Sequence, residues 1–126
     1  MITKDWLTVA TRYIREFGFK ETLTDSEALE ELNFMIEKLL PAIERGEGII
    51  SAQLFSGAGG IRSQIRLFVD MKDAAGYERL LFNPEIREHL KRLYSSWDLK
   101  EATQNFLREI TGAMVAAHSD DTVNLS

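Results

Sequence analysis

The sequence predicts a small, helix-dominated α+β domain: two N-terminal helices, a β-hairpin over residues 49–71, and a short and then two longer helices after it. Three observations predict this class. Two N-terminal segments repeat apolar residues at helical spacing, residues 49–71 alternate apolar and polar residues around a glycine-rich turn, and helical spacing returns after Asn83. The alternative is an all-α bundle, in which residues 61–75 form a helix instead of a strand.

The first helix is predicted from Lys4 to Phe17. Its apolar residues, beginning at Trp6, recur three or four positions apart, while arginine, threonine and glutamate occupy the other side. Thr3 is a suitable N-cap and Gly18 a suitable residue after the C-terminus. This spacing predicts a helix with one buried face.

The second helix has the clearest local start signal in the chain. Thr24 is followed three positions later by Glu27, which is the spacing of a capping box, and Gly46 marks the end. Pro41 lies inside this stretch and removes one backbone hydrogen bond while its ring crowds the preceding turn. We therefore expect a kink or a break near Leu40.

The middle of the chain favours strands. Ile50, Ala52 and Leu54 alternate with polar residues, and residues 64–71 alternate in the same way. Because an isolated strand leaves its backbone groups unpaired, the two segments are predicted to pair as an antiparallel hairpin across the loop at 56–60.

The C-terminal part predicts three helices. A short one covers Tyr77 to Phe82, and the next begins with Asn83 as N-cap and carries aromatic residues on its buried face. The last is predicted from Asp98 to about His118. These elements fit a single globular domain over residues 1–118, with residues 119–126 as a frayed tail.

Composition excludes several classes of function. Fifteen Lys and Arg against 20 Asp and Glu give a net charge of −5, whereas binding to nucleic acid requires a concentrated basic surface. The chain has no cysteine, so it has no thiol nucleophile and no disulfide. No segment resembles a signal peptide or a membrane span, which predicts a cytoplasmic protein without membrane contact.

The loop at 56–60 is the predicted ligand site. Gly57, Gly59 and Gly60 allow close approach of the backbone to a ligand, and Arg62 and Arg66 follow as possible partners of an anion. Such a loop could hold a phosphate or a nucleotide. The simpler interpretation is a hairpin turn with solvated arginines.

The segment LFSGAGG at 54–60 also resembles the first cofactor-binding motif of cytosine-specific DNA methyltransferases, which cradles S-adenosylmethionine. Gln53 stands where that family carries an acidic residue, and Asp70 comes too soon for the ribose contact. The nucleophile of the family is a cysteine, which this chain lacks. We therefore treat the match as coincidence and predict no cofactor.

Phe34 is the predicted interface residue. On a helical wheel it lies opposite the apolar stripe of the second helix, among charged residues, where an aromatic side chain favours contact with a partner. Glu85 and His89 could meet on one helix face, but two ligands do not make a metal site. No catalytic residue and no metal site is predicted.

The sequence therefore favours a non-enzymatic protein–protein interaction module that binds itself, as a homo-oligomer, or another protein. The alternative is a small-ligand or nucleotide-binding domain that uses the loop at 56–60 and the arginines after it. The question of an enzyme stays open, with the balance against one because no nucleophile, metal constellation or complete phosphate loop is present.

Overall fold

The computed structural model describes residues 9–117 of the chain and has the element order βαββαβ. Its elements are β1 (Thr11–Phe17), α1 (Asp25–Phe34), a π-helical segment (Met35–Leu39), α2 (Leu40–Glu44), β2 (Ile49–Phe55), β3 (Ile65–Met71), α3 (Ala75–Leu81), α4 (Pro84–Tyr94) and β4 (Thr103–Arg108). Residues 112–117 are also helical.

The four strands form one antiparallel sheet in the order β2-β3-β1-β4. The helices cover one face of this sheet, which we call the helix face, and no element within residues 9–117 covers the other face, which we call the open face. The predicted helix-dominated domain with a single hairpin is therefore wrong, and so is the all-α alternative. The organising element is a four-stranded sheet.

The predicted first helix is wrong over residues 11–17, which form the central strand β1; its beginning at residues 4–8 lies outside the described part of the chain. β1 pairs with β3 on one side and with β4 on the other, so both edges of its backbone are hydrogen-bonded. Its β-branched and aromatic residues suit a strand. This pairing across distant segments outweighs a helical spacing that was read locally.

The predicted last helix is also wrong where it covers β4. Residues 103–108 pair with β1, and helical structure returns only at residues 112–117, where Thr111 Oγ1 accepts from the Met114 amide at 3.1 Å. His118, the predicted end of the helix, lies outside the described residues.

Other local signals are confirmed. β2 and β3 pair as the predicted hairpin. Thr24 and Glu27 form the capping box, with the Glu27 amide donating to Thr24 Oγ1 at 3.1 Å and the Thr24 amide donating to Glu27 Oε1 at 2.9 Å. Asn83 caps α4, as its spacing before Pro84 predicts.

Pro41 interrupts the α-helical pattern as expected, but without a break. The preceding turn is π-helical, and the Leu40 amide donates to the carbonyl of Met35, five residues earlier. Met35 and Leu39 are buried in this segment, whereas Ile36, which the periodicity placed on the buried stripe, is 55% exposed.

The core fills the layer between the helix face and the helices. Its largest fully buried side chains are those of Trp97, Phe17, Met35, Leu39, Ile65, Met71, Leu93 and Val69. Trp97 stacks on Phe17 with ring centroids 3.8 Å apart. A small part of this layer remains unfilled and forms the site described next.

Candidate functional site

A cavity of about 90 Å³ lies between the helix face and the helices α3 and α4. Its lining residues are Tyr13, Arg15, Ile43, Leu67, Val69, Tyr77, Leu80, Leu81, Ile86, Leu90, Tyr94, Trp97 and Gln104. The walls are therefore mainly apolar and aromatic, with a small number of polar groups. This is the usual composition of a site for a small molecule.

The strand pairing brings the polar groups of the cavity together. Alternation along β1 turns both Tyr13 and Arg15 towards the helix face. In the register of β1 with β4, Arg15 lies opposite Gln104 and Tyr13 lies opposite Phe106. Residues about 90 positions apart in the chain thus become neighbours on one face of the sheet.

Gln104 holds the other two polar side chains in place. Its Oε1 accepts a hydrogen bond from Tyr13 Oη at 3.1 Å and another from Arg15 Nη1 at 3.1 Å. The Arg15 guanidinium carbon lies 5.9 Å from the ring centroids of Tyr94 and Trp97. The guanidinium is therefore fixed beside two aromatic rings of the lining.

Backbone contacts hold Trp97 beside the segment that follows β1. Trp97 forms an isolated β-bridge with Phe19, next to which the Asp98 amide donates to the carbonyl of Gly18 at 2.8 Å. The Trp97 side chain is fully buried, yet its Nε1 has no hydrogen-bond partner within residues 9–117. A buried indole N–H usually has an acceptor, so this donor is one that the described part of the chain leaves unsatisfied.

Arg15 offers a second free donor. Its Nε is buried without a hydrogen-bond partner, and no carboxylate of the described chain pairs with it. Five other arginines do have carboxylate partners: Arg12, Arg45, Arg62, Arg66 and Arg92. Arg15 is the one charged residue of the cavity lining.

Tyr13 and Tyr77, two tyrosines of the cavity, are hydrogen-bond donors at neutral pH. Burial raises the pKa of Tyr13 to about 12, an effect that the nearby charge of Arg15 only partly offsets. Burial also raises the pKa of Tyr77. The Tyr13 hydroxyl therefore stays protonated, which agrees with its hydrogen bond to Gln104.

The cavity reaches the surface beside α3 and β4. Leu81 and Tyr94 are 45% and 36% exposed, and Gln104 is also exposed. Tyr77 lies at the same end and packs edge-on against Phe106, with ring centroids 4.6 Å apart. An entering molecule would pass between these side chains.

The structure separates the two arginines of the predicted loop site. Arg62 turns towards the start of α1, where Nη1 donates to Asp25 at 2.9 Å and Nη2 donates to the carbonyl of Lys20 at 3.0 Å. Arg66 lies on the open face and donates to Glu16 at 3.1 Å. The two guanidinium groups therefore do not converge on one anion, and both already have acceptors.

The three glycines of the loop also have different surroundings. Gly57 lines a groove of about 530 Å³ on the open face together with Arg66. Gly59 and Gly60 have open space around their α-carbons, and Gly60 adopts a φ of 142°, which only glycine tolerates well. Turn geometry accounts for Gly60, and binding at this loop stays a prediction.

Phe34 packs inside the chain. The guanidinium carbon of Arg92 lies 3.8 Å from its ring centroid, and the ring of His89 contacts it edge-on at 5.2 Å. The cation that covers the ring therefore comes from α4 and not from the charged residues beside Phe34 on its own helix, which suggested an exposed aromatic. Its role at an interface stays a prediction.

The open face presents three rows of side chains, and each row contains one residue from each of the four strands. The rows are Ser51-Asp70-Arg12-Leu107, Gln53-Phe68-Ile14-Asn105 and Phe55-Arg66-Glu16-Thr103, in the order β2-β3-β1-β4. Arg12 pairs with Asp70 at 2.7 Å in the first row, and Arg66 pairs with Glu16 in the third. An uncharged row with Phe68 and Ile14 at its centre thus lies between two rows that each carry both signs of charge.

Residues 9–117 contain neither a metal-binding cluster nor a membrane-spanning helix. Within residues 9–117, no group of three or more His, Asp and Glu side chains is arranged to hold a metal ion. No helix in that range is long and apolar enough to cross a membrane.

Solved structures with the same fold include proteins of unknown function and an oxygenase. A dimeric protein of unknown function with a ferredoxin-like fold, from Bacteroides fragilis, superposes with a TM-score of 0.68 at 14% identity, covering 82% of this chain and 100% of that one. SnoaB, a cofactor-independent oxygenase from Streptomyces nogalater, gives 0.65 at 13% identity, with 82% and 95% covered. A Bacteroides thetaiotaomicron protein of unknown function, described as a possible oxidoreductase, gives 0.64 at 13% identity, with 81% and 99% covered.

These comparisons establish the fold. The βαββαβ order and the antiparallel sheet make this chain a ferredoxin-like α+β protein. The sequence matches no protein-family model and no curated protein. At identities this low, function has to be argued from the site itself.

Sequence reasoning missed the polar groups of the cavity. Arg15 was predicted on the solvent side of one helix, and residue 104 fell within another predicted helix, so nothing brought the two together. Tyr13 and Trp97 were expected in the core, where they do lie. The signal that could have found the site was the β-propensity of residues 11–17, which would have put Tyr13 and Arg15 on the same face of a strand.

Proposed function

We propose that this protein binds a small organic molecule in the cavity beneath α3 and α4, and that it does so as a homodimer built on the open face. The observation that carries the first part is the convergence of Tyr13, Arg15 and Gln104 on an otherwise apolar and aromatic cavity. This proposal keeps the ligand-binding alternative but moves it away from the loop at 56–60.

The size of the cavity limits the ligand. About 90 Å³ is less than the roughly 150 Å³ of an engineered apolar cavity that admits benzene. A ligand would therefore place its smaller, polar end inside, beside Arg15 and Trp97. Its larger part would lie at the mouth, against Tyr77, Leu81 and Tyr94.

Filling the cavity tests this proposal. Leu90→Phe adds volume to the lining, and we expect it to abolish binding of small organic molecules detected for the unmodified protein by thermal shift. A ligand at 100 times its dissociation constant should stabilise the fold by about 2.7 kcal/mol. Leu29→Phe, the same change at a side chain that is 52% exposed on α1, should leave binding intact. Equal binding to both variants would place the ligand elsewhere.

Oxygenation of the bound molecule is a second candidate function. It is favoured by the aromatic lining of the cavity together with the likeness of the fold to SnoaB. The lining contains no Asp, Glu or His, so no lining residue is a ready general base at neutral pH. Ligands that bind are to be tested for dioxygen uptake; a bound ligand without uptake would leave binding alone as the function.

The pattern of the open face supports self-association. Two arrangements of such a dimer keep the rows in register, with the two-fold axis between the faces running either along the strands or across them. With the axis along the strands, Phe68 meets Ile14 of the second copy, and Arg66 meets Glu16 of the second copy. With the axis across them, Arg66 meets Asp70 of the second copy. On the two central strands, β3 and β1, both arrangements set acids opposite bases and set Phe68 and Ile14 opposite apolar residues.

A charge in the middle row of the open face tests the dimer. Phe68→Glu would place two carboxylates in the buried centre of the interface, and we expect it to reduce the mass in solution from twice 14.4 kDa to 14.4 kDa. Phe82→Glu, at a side chain that is 73% exposed after α3, is the matched control and should stay dimeric. A monomeric unmodified protein at all concentrations, by analytical ultracentrifugation, would contradict the proposal.

A further inference from the structure

We infer that the molecule bound in the cavity carries a carboxylate, which accepts hydrogen bonds from Arg15 Nε and Trp97 Nε1. This inference rests on the proposed function, because it names the chemical class of ligand for the same cavity. Two buried donors without acceptors lie among its lining residues, and one of them belongs to a cation.

Arg15 has no carboxylate partner within residues 9–117. A half-buried guanidinium is costly unless it is paired, and Arg12, Arg45, Arg62, Arg66 and Arg92 each have a carboxylate at 2.7 to 3.7 Å. Arg15 has the neutral oxygen of Gln104 instead. A negatively charged ligand supplies the charge that this position lacks.

The arrangement of donors selects the kind of anion. Gln104 occupies Arg15 Nη1, which leaves the Nε side of the guanidinium free. A planar carboxylate has two oxygens and matches the planar fork of an arginine. One oxygen can accept from Arg15 Nε and the other from Trp97 Nε1, so both orphan donors are used by one group. A phosphate has more oxygens than these two donors can satisfy, and about 90 Å³ suits the smaller anion.

The remaining walls define the rest of the ligand. Leu67, Val69 and Leu90 offer only carbon atoms, so the atoms next to the carboxylate should be apolar. The structure thus points to a small aliphatic or aromatic monocarboxylate, whose carboxylate lies at Arg15 and whose carbon atoms contact these walls.

A pair of near-isosteric ligands tests the charge. Propionate and propionamide have almost the same shape, and we expect the acid to bind roughly tenfold or more tightly by calorimetry. Arg15→Met keeps the length of the side chain and should abolish this preference. Arg87→Met removes an exposed arginine of α4 and should preserve it. Equal affinities for the acid and the amide in the unmodified protein would overturn the inference.

Two further measurements separate this inference from its alternatives. Propionate should raise the melting midpoint of the unmodified protein but not that of Arg15→Met, because the variant lacks the cation that pairs with the acid; equal shifts in both would mean that the acid binds away from Arg15. Trp97→Phe keeps an aromatic ring but loses the donor, and should weaken propionate more than propionamide.

The outcomes also distinguish this inference from the proposed function. If neutral molecules bind in the cavity, are blocked by Leu90→Phe, and gain nothing from a carboxylate, the cavity is a ligand site and the inference about its chemistry is wrong. If neither acids nor neutral molecules bind, the proposed function is wrong as well.

Discussion

The ionisation of Tyr13 depends on the burial of its hydroxyl beside the cavity. Tyr13 lies in the central strand, its hydroxyl donates to Gln104, and burial holds its pKa at about 12. Ionisation would put a negative charge into a mainly apolar space and would take away the proton that Gln104 accepts. The folded state therefore binds this proton more tightly than the unfolded chain does.

This difference predicts a dependence of stability on alkaline pH. An unfolded tyrosine has a pKa of about 10, so between about pH 10 and pH 12 the unfolded chain loses the proton that the folded protein keeps. The contribution of Tyr13 is fully present below pH 10 and is lost as the pH rises through 12. Urea unfolding from pH 9 to pH 12 should show this loss.

Tyr13→Phe is the matched variant for that measurement. Phenylalanine cannot ionise, so the difference in the free energy of unfolding between the two proteins should shrink steadily above pH 10. If both proteins follow parallel curves across that range, Tyr13 ionises as easily in the folded state as in the unfolded one, and the account of its burial is wrong.

At the scale of elements, the sequence predicted those whose signals are local. The capping box at Thr24, the Asn83-Pro84 start of α4 and the two alternating segments around the glycine loop each occupy a few consecutive residues. Their geometry depends mainly on neighbours in the chain. These elements formed where the sequence indicated.

β1 and β4 were missed because their stabilisation is not local. In β1, Tyr13, Ile14 and Phe17 fit a helical stripe, but Tyr13 and Ile14 lie on opposite faces of the sheet. β4 is exposed at all six positions, so it carries no pattern of burial to read. Both strands exist because each supplies the partner that the other requires.

The loss of β1 also hid the cavity. In a helix, the side chains of Tyr13 and Arg15 would diverge by about 200°. In a strand they share a face, and pairing with β4 adds Gln104 to them. The site could be predicted only after the sheet, and the sheet depends on contacts between the two ends of the described chain.

At the scale of the whole molecule, a charge swap distinguishes the two possible dimers. Arg66→Glu should weaken the dimer roughly tenfold or more in either arrangement, because it sets a carboxylate against Glu16 or Asp70 of the second copy. Adding Glu16→Arg restores the pair within each chain in both cases. Sedimentation equilibrium of the single and double variants gives the dissociation constants.

The double variant then reports the direction of the axis. If the axis runs along the strands, residues 66 and 16 of the two copies face each other and the swap restores dimerisation. If it runs across them, residue 66 faces Asp70 and residue 16 faces Arg12 of the second copy, and the swap weakens the dimer further. A single reversal without effect would mean that the open face is not the interface.

The alternation of β1 has a consequence for how this chain can vary. Odd-numbered positions such as Tyr13 and Arg15 face the cavity, whereas even-numbered ones such as Ile14 and Glu16 face the open side. Neighbouring residues of β1 would thus be under different selective pressures, one from the cavity and the other from the open face. A one-residue insertion there would exchange the two surfaces at once, so homologous sequences should tolerate substitutions in this strand but no change in its length.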